Sequence, residues 1–465
     1  MRRREFISLV SAATAAASLA KFPFSARAQQ ALPNPAAWLR SGPMLGRSEM
    51  TETEIWLQTN KALRAEVRYW KRGKPEAARL SEAVETNEAR DFIARFKLSR
   101  LEFGTRYDYE IYLDGLRVLG AADASFQSQA MWRWRTDPPP CRIAIGSCAF
   151  INDAAYDRPP PEPPYGGDYQ IFQTIAHQQP DAMLWLGDNI YYREADWLNE
   201  AAMRYRYAHG RALPEMRELL GATHHYAIWD DHDFGPDDSD RAYRNRETSL
   251  RIFKDYWANA VYGTPETPGC FSRFEWNDLE FFLLDDRYYR SPNRSPTNPK
   301  KQMFGEAQIQ WLMDALVSSN APFKIVAGGN QMLNPIMPFE AFGKFPGEQK
   351  RIIDFIREAR VPGVLFLSGD RHHTELIKRV EPGLYPLYDF TSSPLTSTPA
   401  AKHKTEEDNP ARVPGTWVTG VRNFGLIEAS GSRTQRKLVL RTLDATGKEW
   451  WRHEINASEL TFPKG

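Results

Sequence analysis

The chain has 465 residues, of which 42% are hydrophobic and 12% aromatic, with a formal net charge of +1. That composition supplies sizeable cores and excludes a disordered chain, and the length points to two or three domains. The near-neutral charge excludes a protein that binds nucleic acid through a basic field, and no apolar run is long enough to span a membrane.

The chain opens with Met1-Arg2-Arg3-Arg4-Glu5-Phe6-Ile7, continues with a small-residue apolar segment from Ser8 to Ala20, and reaches Ala26-Arg27-Ala28, a small-x-small cleavage pattern. Residues 1–28 therefore read as an export signal rather than structure. The Arg3-Arg4-x-Phe6 core resembles the twin-arginine type, so the expected partner is the twin-arginine export machinery and the expected location periplasmic or secreted. Without its five basic residues and one acid, the mature chain has a net charge of −3. No stable membrane anchor is expected in it. Of the three cysteines, Cys141 and Cys148 flank one strand and lie up to roughly 20 Å apart if extended, too far for a disulfide. A Cys141–Cys270 bridge stays open.

Residues 29–137 read as all-β. Glu54–Gln58, Ala65–Trp70, Phe92–Leu98 and Tyr107–Leu113 alternate polar and apolar, with turn residues between them. Period-two strands at this spacing predict an immunoglobulin- or fibronectin-like sandwich without candidate chemistry. Thr136-Asp137-Pro138-Pro139-Pro140 marks a boundary. From 138 to 465, short apolar runs alternate with helical patterns at 169–178, 197–220, 248–259, 305–317 and 346–359, the mark of an α/β layered domain. The tail from about Asn423 returns to alternating strands, adding edge strands to the second sheet.

Six of the apolar runs stop at residues able to bind metal or phosphate. Arg142–Gly146 meets Ser147-Cys148. Ala182–Leu186 meets Gly187-Asp188-Asn189-Ile190-Tyr191, and Tyr226–Trp229 meets Asp230-Asp231-His232-Asp233. Leu279–Leu284 meets Asp285-Asp286-Arg287, Lys324–Ala327 meets Gly328-Gly329-Asn330-Gln331, and Val364–Leu367 meets Ser368-Gly369-Asp370-Arg371-His372-His373. Runs without polar alternation are strands buried on both faces, and open α/β sheets bind ligands beyond the carboxyl ends of such strands. These residues are therefore expected along one sheet edge. A thiolate (Cys148) plus a phenolate (Tyr191) favours a ferric ion, and the carboxylates Asp188, Asp231 and Asp370 favour a harder divalent ion beside it. Taken singly, each residue has a plainer role: Cys148 as a small buried hydrophobe, Asp230 or Asp231 as a helix cap.

Gly187-Asp188-x-x-Tyr191 has the spacing of metal ligands in purple acid phosphatases. Together with Gly146-Ser147-Cys148, Asp230-Asp231-His232-Asp233, Gly369-Asp370-x-His372, Asp285-Asp286-Arg287-x-x-Arg290 and Gly329-Asn330-Gln331, the chain resembles the alkaline phosphatase D (PhoD-like) family of metallophosphatases. The resemblance implies an α/β layered sheet domain (αββα) behind the β-sandwich, and a dinuclear site of iron (Fe³⁺) and calcium (Ca²⁺), with another divalent ion possible at the second position. Cys148, Asp188, Tyr191 and His372 would bind the iron. Asp188 would bridge to a second ion completed by Asp231 and Asp370, with Asp230 the second choice. His232 and Arg287 would be catalytic, contacting phosphate and neutralising charge. The implied reaction is hydrolysis of phosphate monoesters or diesters, small molecules, by metal-bound hydroxide. The competing readings are a non-catalytic metal- or surface-binding protein of the same fold and a hydrolase of non-phosphate esters.

Overall fold

The structure, a computed structural model, describes residues 34–119, 124–158, 163–402 and 404–462. The expected export signal, residues 1–28, lies outside the described residues. The β-rich N-terminal part contains β1 (Leu39–Ser48), β2 (Glu52–Thr59), β3 (Arg64–Lys71), β4 (Arg79–Leu80), β5 (Val84–Glu85), β6 (Ile93–Ser99), β7 (Arg106–Leu113), β8 (Leu116–Leu119) and β9 (Ser125–Gln127). The α/β part follows with β10 (Cys141–Gly146), α1 (Ile171–His177), β11 (Ala182–Leu186), α2 (Glu200–Arg211), α3 (Arg217–Ala222), β12 (His224–Ile228), α4 (Asp231–Phe234) and α5 (Arg246–Tyr256). Next come β13 (Ser272–Trp276), β14 (Leu279–Leu283), α6 (Glu306–Ser318), β15 (Phe323–Ala327), α7 (Pro346–Glu358), β16 (Val364–Ser368), β17 (Glu375–Arg379), β18 (Leu387–Thr391), α8 (Lys404–Glu407), β19 (Asn423–Ser430), β20 (Lys437–Asp444) and β21 (Glu449–Asn456).

One sheet of nine strands runs β21-β20-β19-β10-β11-β12-β1-β2-β6. A second, of six, runs β13-β14-β15-β16-β18-β17. A third is built on β4-β3-β7-β8. The six expected apolar runs are strands, every residue of β11, β12, β14, β15 and β16 buried, as central parallel strands demand. They do not share one edge. Three lie in the nine-stranded sheet and three in the six-stranded sheet, and the two sheets share a single hydrophobic core. Helical periodicity decided α6 correctly: Ile309, Leu312, Met313 and Leu316 are its buried face.

Within the N-terminal part, β1, β2 and β6 pack against the third sheet around Leu45, Ile55, Leu57, Val67, Tyr69, Phe96, Tyr109 and Ile111. The first of these layers is continuous with the α/β part, because β1 pairs in parallel with β12 at Leu45 and His224. Side chains cross the same seam. The Tyr226 hydroxyl accepts from the Ser48 amide at 3.0 Å, and the Trp56 indole donates to the Asp255 carbonyl at 2.9 Å. The tail strands extend the sheet that carries β10 and β11, with β19 antiparallel to β10. Cys141, Cys148 and Cys270 are all buried thiols with no disulfide between them.

Candidate metal centre

Backbone geometry at the strand ends aims the donors. Cys148 follows β10 with φ 60°, Asp188 follows β11 with φ 52°, and Asp370 and His372 follow β16 with φ 64° and 51°. For residues with a side chain the left-handed region costs about 1–2 kcal/mol each, and such strain concentrates at functional sites. Glycines allow close approach there: a Cβ on Gly187 would sit 2.6 Å from the Asp230 Cβ within one sheet, while one on Gly369 would sit 2.6 Å from the Ser147 Cβ and 2.7 Å from the Leu186 carbonyl of the other sheet.

Asp188 is the centre. Its Oδ2 lies 3.5 Å from the Cys148 thiol and accepts from the Tyr191 hydroxyl at 3.3 Å. Tyr191 also meets the His372 Nε2 at 3.3 Å. The Asp188 Oδ1 accepts from the His232 amide at 3.3 Å. Donor atoms of Asp188, Asp231 and His232 fall within 4.8 Å of one another. The structure thus gathers Cys148, Asp188, Tyr191, Asp231, His232 and His372 in one place. Asp370 adds to the negative charge felt by Cys148 and Asp188.

The adjacent pair Asp230 and Asp231 divides its work. Asp230 is the N-cap of α4 and accepts the Asp231 amide on Oδ1, while its Oδ2 accepts from the Asn330 side chain at 3.1 Å. Arg287 pairs with Oδ1 as well. Asp231 accepts from the Asp238 amide at 2.8 Å and otherwise keeps its lone pairs open to its neighbours.

Arg287 departs from the sequence expectation. It is completely buried, with its fork on Asp230, Glu340 and the Ser239 carbonyl. A guanidinium enclosed by its own partners does not face an incoming phosphate. Sequence reasoning missed Glu340, which lies in an irregular stretch without periodicity. It also missed Ser393, which donates to the Cys148 thiol at 3.1 Å and accepts the His372 amide at 2.9 Å. The Thr398 carbonyl lies 2.8 Å from the His372 Nδ1, and Tyr165 packs its ring 6.0 Å from that of His372. Tyr165, Ser393 and Thr398 thus bring two loops against His372 and Cys148.

The donor set fits a cation. Burial pushes the Asp188 carboxyl up, and the charges of Asp231 and Cys148 push it further. Burial and Asp188 raise Tyr191, and burial raises the Cys148 thiol to about 11 despite the hydroxyls of Ser147 and Ser393. Among the described residues, no Lys or Arg pairs with any of these three acids. Positive charge placed among them would stabilise all three anions together.

Two sheets packed face to face, with oxygen, sulfur and imidazole donors at their shared ends, define a metallophosphatase-type layered fold. The solved structure of PhoD matches it with a TM-score of 0.72 at 16% identity, over 91% of this chain and 92% of that one. The purple acid phosphatase PPD1 from yellow lupin (Lupinus luteus) seeds matches with a TM-score of 0.63 at 10% identity, over 89% of this chain and 74% of that one. The profile of the PhoD-like phosphatases matches residues 144–436, more than half of the chain, which therefore belongs to the PhoD-like phosphatase family. Residues 36–131 match a domain of unknown function (DUF7800). Alkaline phosphatase D of Bacillus subtilis (strain 168) is 22% identical over 253 residues, covering 44% of this chain and 43% of that protein.

Proposed function

We propose that the chain is an exported, metal-dependent phosphoesterase acting on phosphate monoesters, diesters or both at a dinuclear site. The observation that carries this reading is the two-sided Asp188 carboxylate, whose Oδ2 meets Cys148 and Tyr191 while Oδ1 turns toward the His232 and Asp231 side. Cys148, Asp188, Tyr191 and His372 would hold the first ion, iron. Asp188, Asp231 and Asp370 would hold the second, calcium or another divalent cation. The two ions would supply Lewis-acid charge that activates water and neutralises the phosphoryl oxygens.

The chain's own side chains do the rest. His232 packs on Tyr191 with tilted rings, centroids 4.2 Å apart, and its side chain is 25% exposed. Its Nε2 lies 3.5 Å from the exposed Asp237 carboxylate, on the solvent side of the site. From there Nε2 would hold a phosphoryl oxygen and hand a proton to the departing oxygen. Phe150 and Tyr165 flank Tyr191 at 5.1 and 6.2 Å and limit water behind the donors. We read Arg287 as a group that positions carboxylates rather than one that meets substrate.

Turnover of a chromogenic phosphate monoester and diester, with Fe³⁺ and Ca²⁺ added, tests the proposal alongside metal analysis. Hydrolysis that disappears with chelation is expected. A protein that binds metal and hydrolyses neither ester would refute the phosphoesterase reading.

A further inference from the structure

A second group of buried carboxylates adjoins Asp188 through Asp231. Donor oxygens of Asp230, Asp231 and Glu340 lie within 4.8 Å of one another, and Asp286 is adjacent, with an oxygen 3.9 Å from the Arg287 Nε. Two guanidiniums, Arg287 and Arg290, sit among them, both completely buried. The pairing of these groups decides which carboxylate stays open.

The donors of Arg287 can be followed one by one. Nε and Nη2 both contact Asp230. Nη1 donates to the Ser239 carbonyl at 3.2 Å and to Glu340 Oε1 at 3.2 Å, and Nη2 donates to Glu340 Oε2 at 2.5 Å. A guanidinium has five N–H bonds in a fixed fork; four hydrogen bonds to Asp230, Ser239 and Glu340, with the Nη2 ion pair to Asp230, hold it on these partners. The nearest Asp231 oxygen, at 3.7 Å from Nη2, is left outside. Glu340 is itself firmly placed. It accepts from Arg290 at 2.9 Å and from the Asn293 side chain at 2.6 Å. The backbone that delivers it is left-handed at Met337 and Phe339, φ 51° and 44°, although neither is glycine. Phe339 stays exposed, its ring 4.5 Å from the guanidinium of Arg371, the residue after Asp370.

We propose that Glu340 is a positioning residue of the second ion site: by holding the Arg287 fork on its own carboxylate and on Asp230, it keeps that cation from capturing Asp231. The proposal rests on the dinuclear reading above. Without the two-pronged contact, Arg287 needs to move little to pair with Asp231, where it would compete directly with a divalent cation. A side chain that merely adds negative charge would not depend on its length in this way.

Calcium affinity, measured by calorimetry on the full iron-loaded chain with Ca²⁺ as the probe, separates the two. Glu340→Asp keeps the charge and withdraws the carboxylate by one methylene. Positioning predicts weaker Ca²⁺ binding by about tenfold or more, with the visible iron band unchanged. Glu340→Gln is expected to weaken binding at least as much, and adding Arg287→Gln to it to restore affinity. Wild-type affinity in Glu340→Asp, or no recovery in the double variant, would overturn the inference while the phosphoesterase reading stands. A wild-type chain that binds no Ca²⁺ and hydrolyses no phosphate ester would sink both.

Discussion

Asp188→Asn keeps the shape of the central side chain and removes the charge that its neighbours share. Loss of nearly all turnover and of bound metal is the expected outcome, read by activity and elemental analysis. Tyr191→Phe is the sharper test of iron. Phenolate and thiolate bound to a ferric ion absorb visible light, so the pure protein should be coloured. Tyr191→Phe should change the band and the iron content while the melting temperature moves little, since the ring stays packed on Phe150 and His232. A colourless, iron-free and fully active wild-type enzyme would exclude iron. His232→Ala should lower turnover by about 10²–10⁴ with metal content near normal; loss of metal instead would move His232 into the ligand set. At this scale the ligand candidates were legible because each stands directly after a buried strand. Arg287 was legible as a motif but not in its burial, because its partner Glu340 lies 53 residues further on in a loop with no pattern to read.

Elements were easiest to read where burial is two-sided. The central strands appear as unbroken apolar runs, and α1, α6 and α7 as 3.6-residue patterns with boundaries within two residues; α5 ends three residues before the pattern does, and the pattern over 197–220 is two helices, α2 and α3. β1 escaped because Gly42, Pro43 and Gly46 punctuate it, residues that ordinarily argue against a central strand. Convergence of two sheets could not be read from strand ends alone, since the same pattern fits a single edge. Its trace is Gly329 and Gly369 of the six-stranded sheet, where a Cβ would lie 2.6 Å from Asp230 and Ser147, respectively, of the other sheet; Gly187 reports instead on neighbouring strands of one sheet. Gly187 combines φ 92° with the Asp230 backbone nitrogen 2.9 Å from where a Cβ would be. Gly187→Ala therefore adds both strain and collision, and should cost about 2–4 kcal/mol and most of the activity. Denaturant unfolding measures the first. A variant of normal stability and activity would mean that the β11 and β12 ends are not pressed together.

Stability of the whole molecule should carry a signature in acid. Burial raises the Glu375 carboxyl, but His373 and Arg412 outweigh it and bring the value down to about 2 from 4.5. A carboxyl depressed by folding stabilises fully above the unfolded value, and that contribution fades as pH falls from 4.5 toward 2. It amounts to about 3 kcal/mol. Glu375→Gln should lose stability of that order at neutral pH and show a flatter acid limb; an unchanged limb would show that Glu375 gains nothing from its partners. The N-terminal part should prove inseparable from the rest. Residues 138–465 made alone would bare the edge of β12 and the surface under Trp56. Low solubility and strong binding of a hydrophobic dye are expected, and a soluble, cooperative fragment would argue that the pairing at Leu45 and His224 is dispensable.

The order of strands in the large sheet also sets a timetable. Its middle, β10 to β12, takes one flank from β1, made long before it, and the other from β19, which begins at Asn423. During synthesis the β12 side can close as soon as that strand leaves the ribosome, whereas the β10 side waits for the entire six-stranded sheet to be made. Through that interval β10 presents unpaired amides and carbonyls, a template on which another nascent chain can add itself. Messages cut short before Asn423 should consequently yield aggregates or substrates for proteolysis instead of partly active enzyme. The donor-bearing turn after β10 would be the last of the strand ends to become rigid.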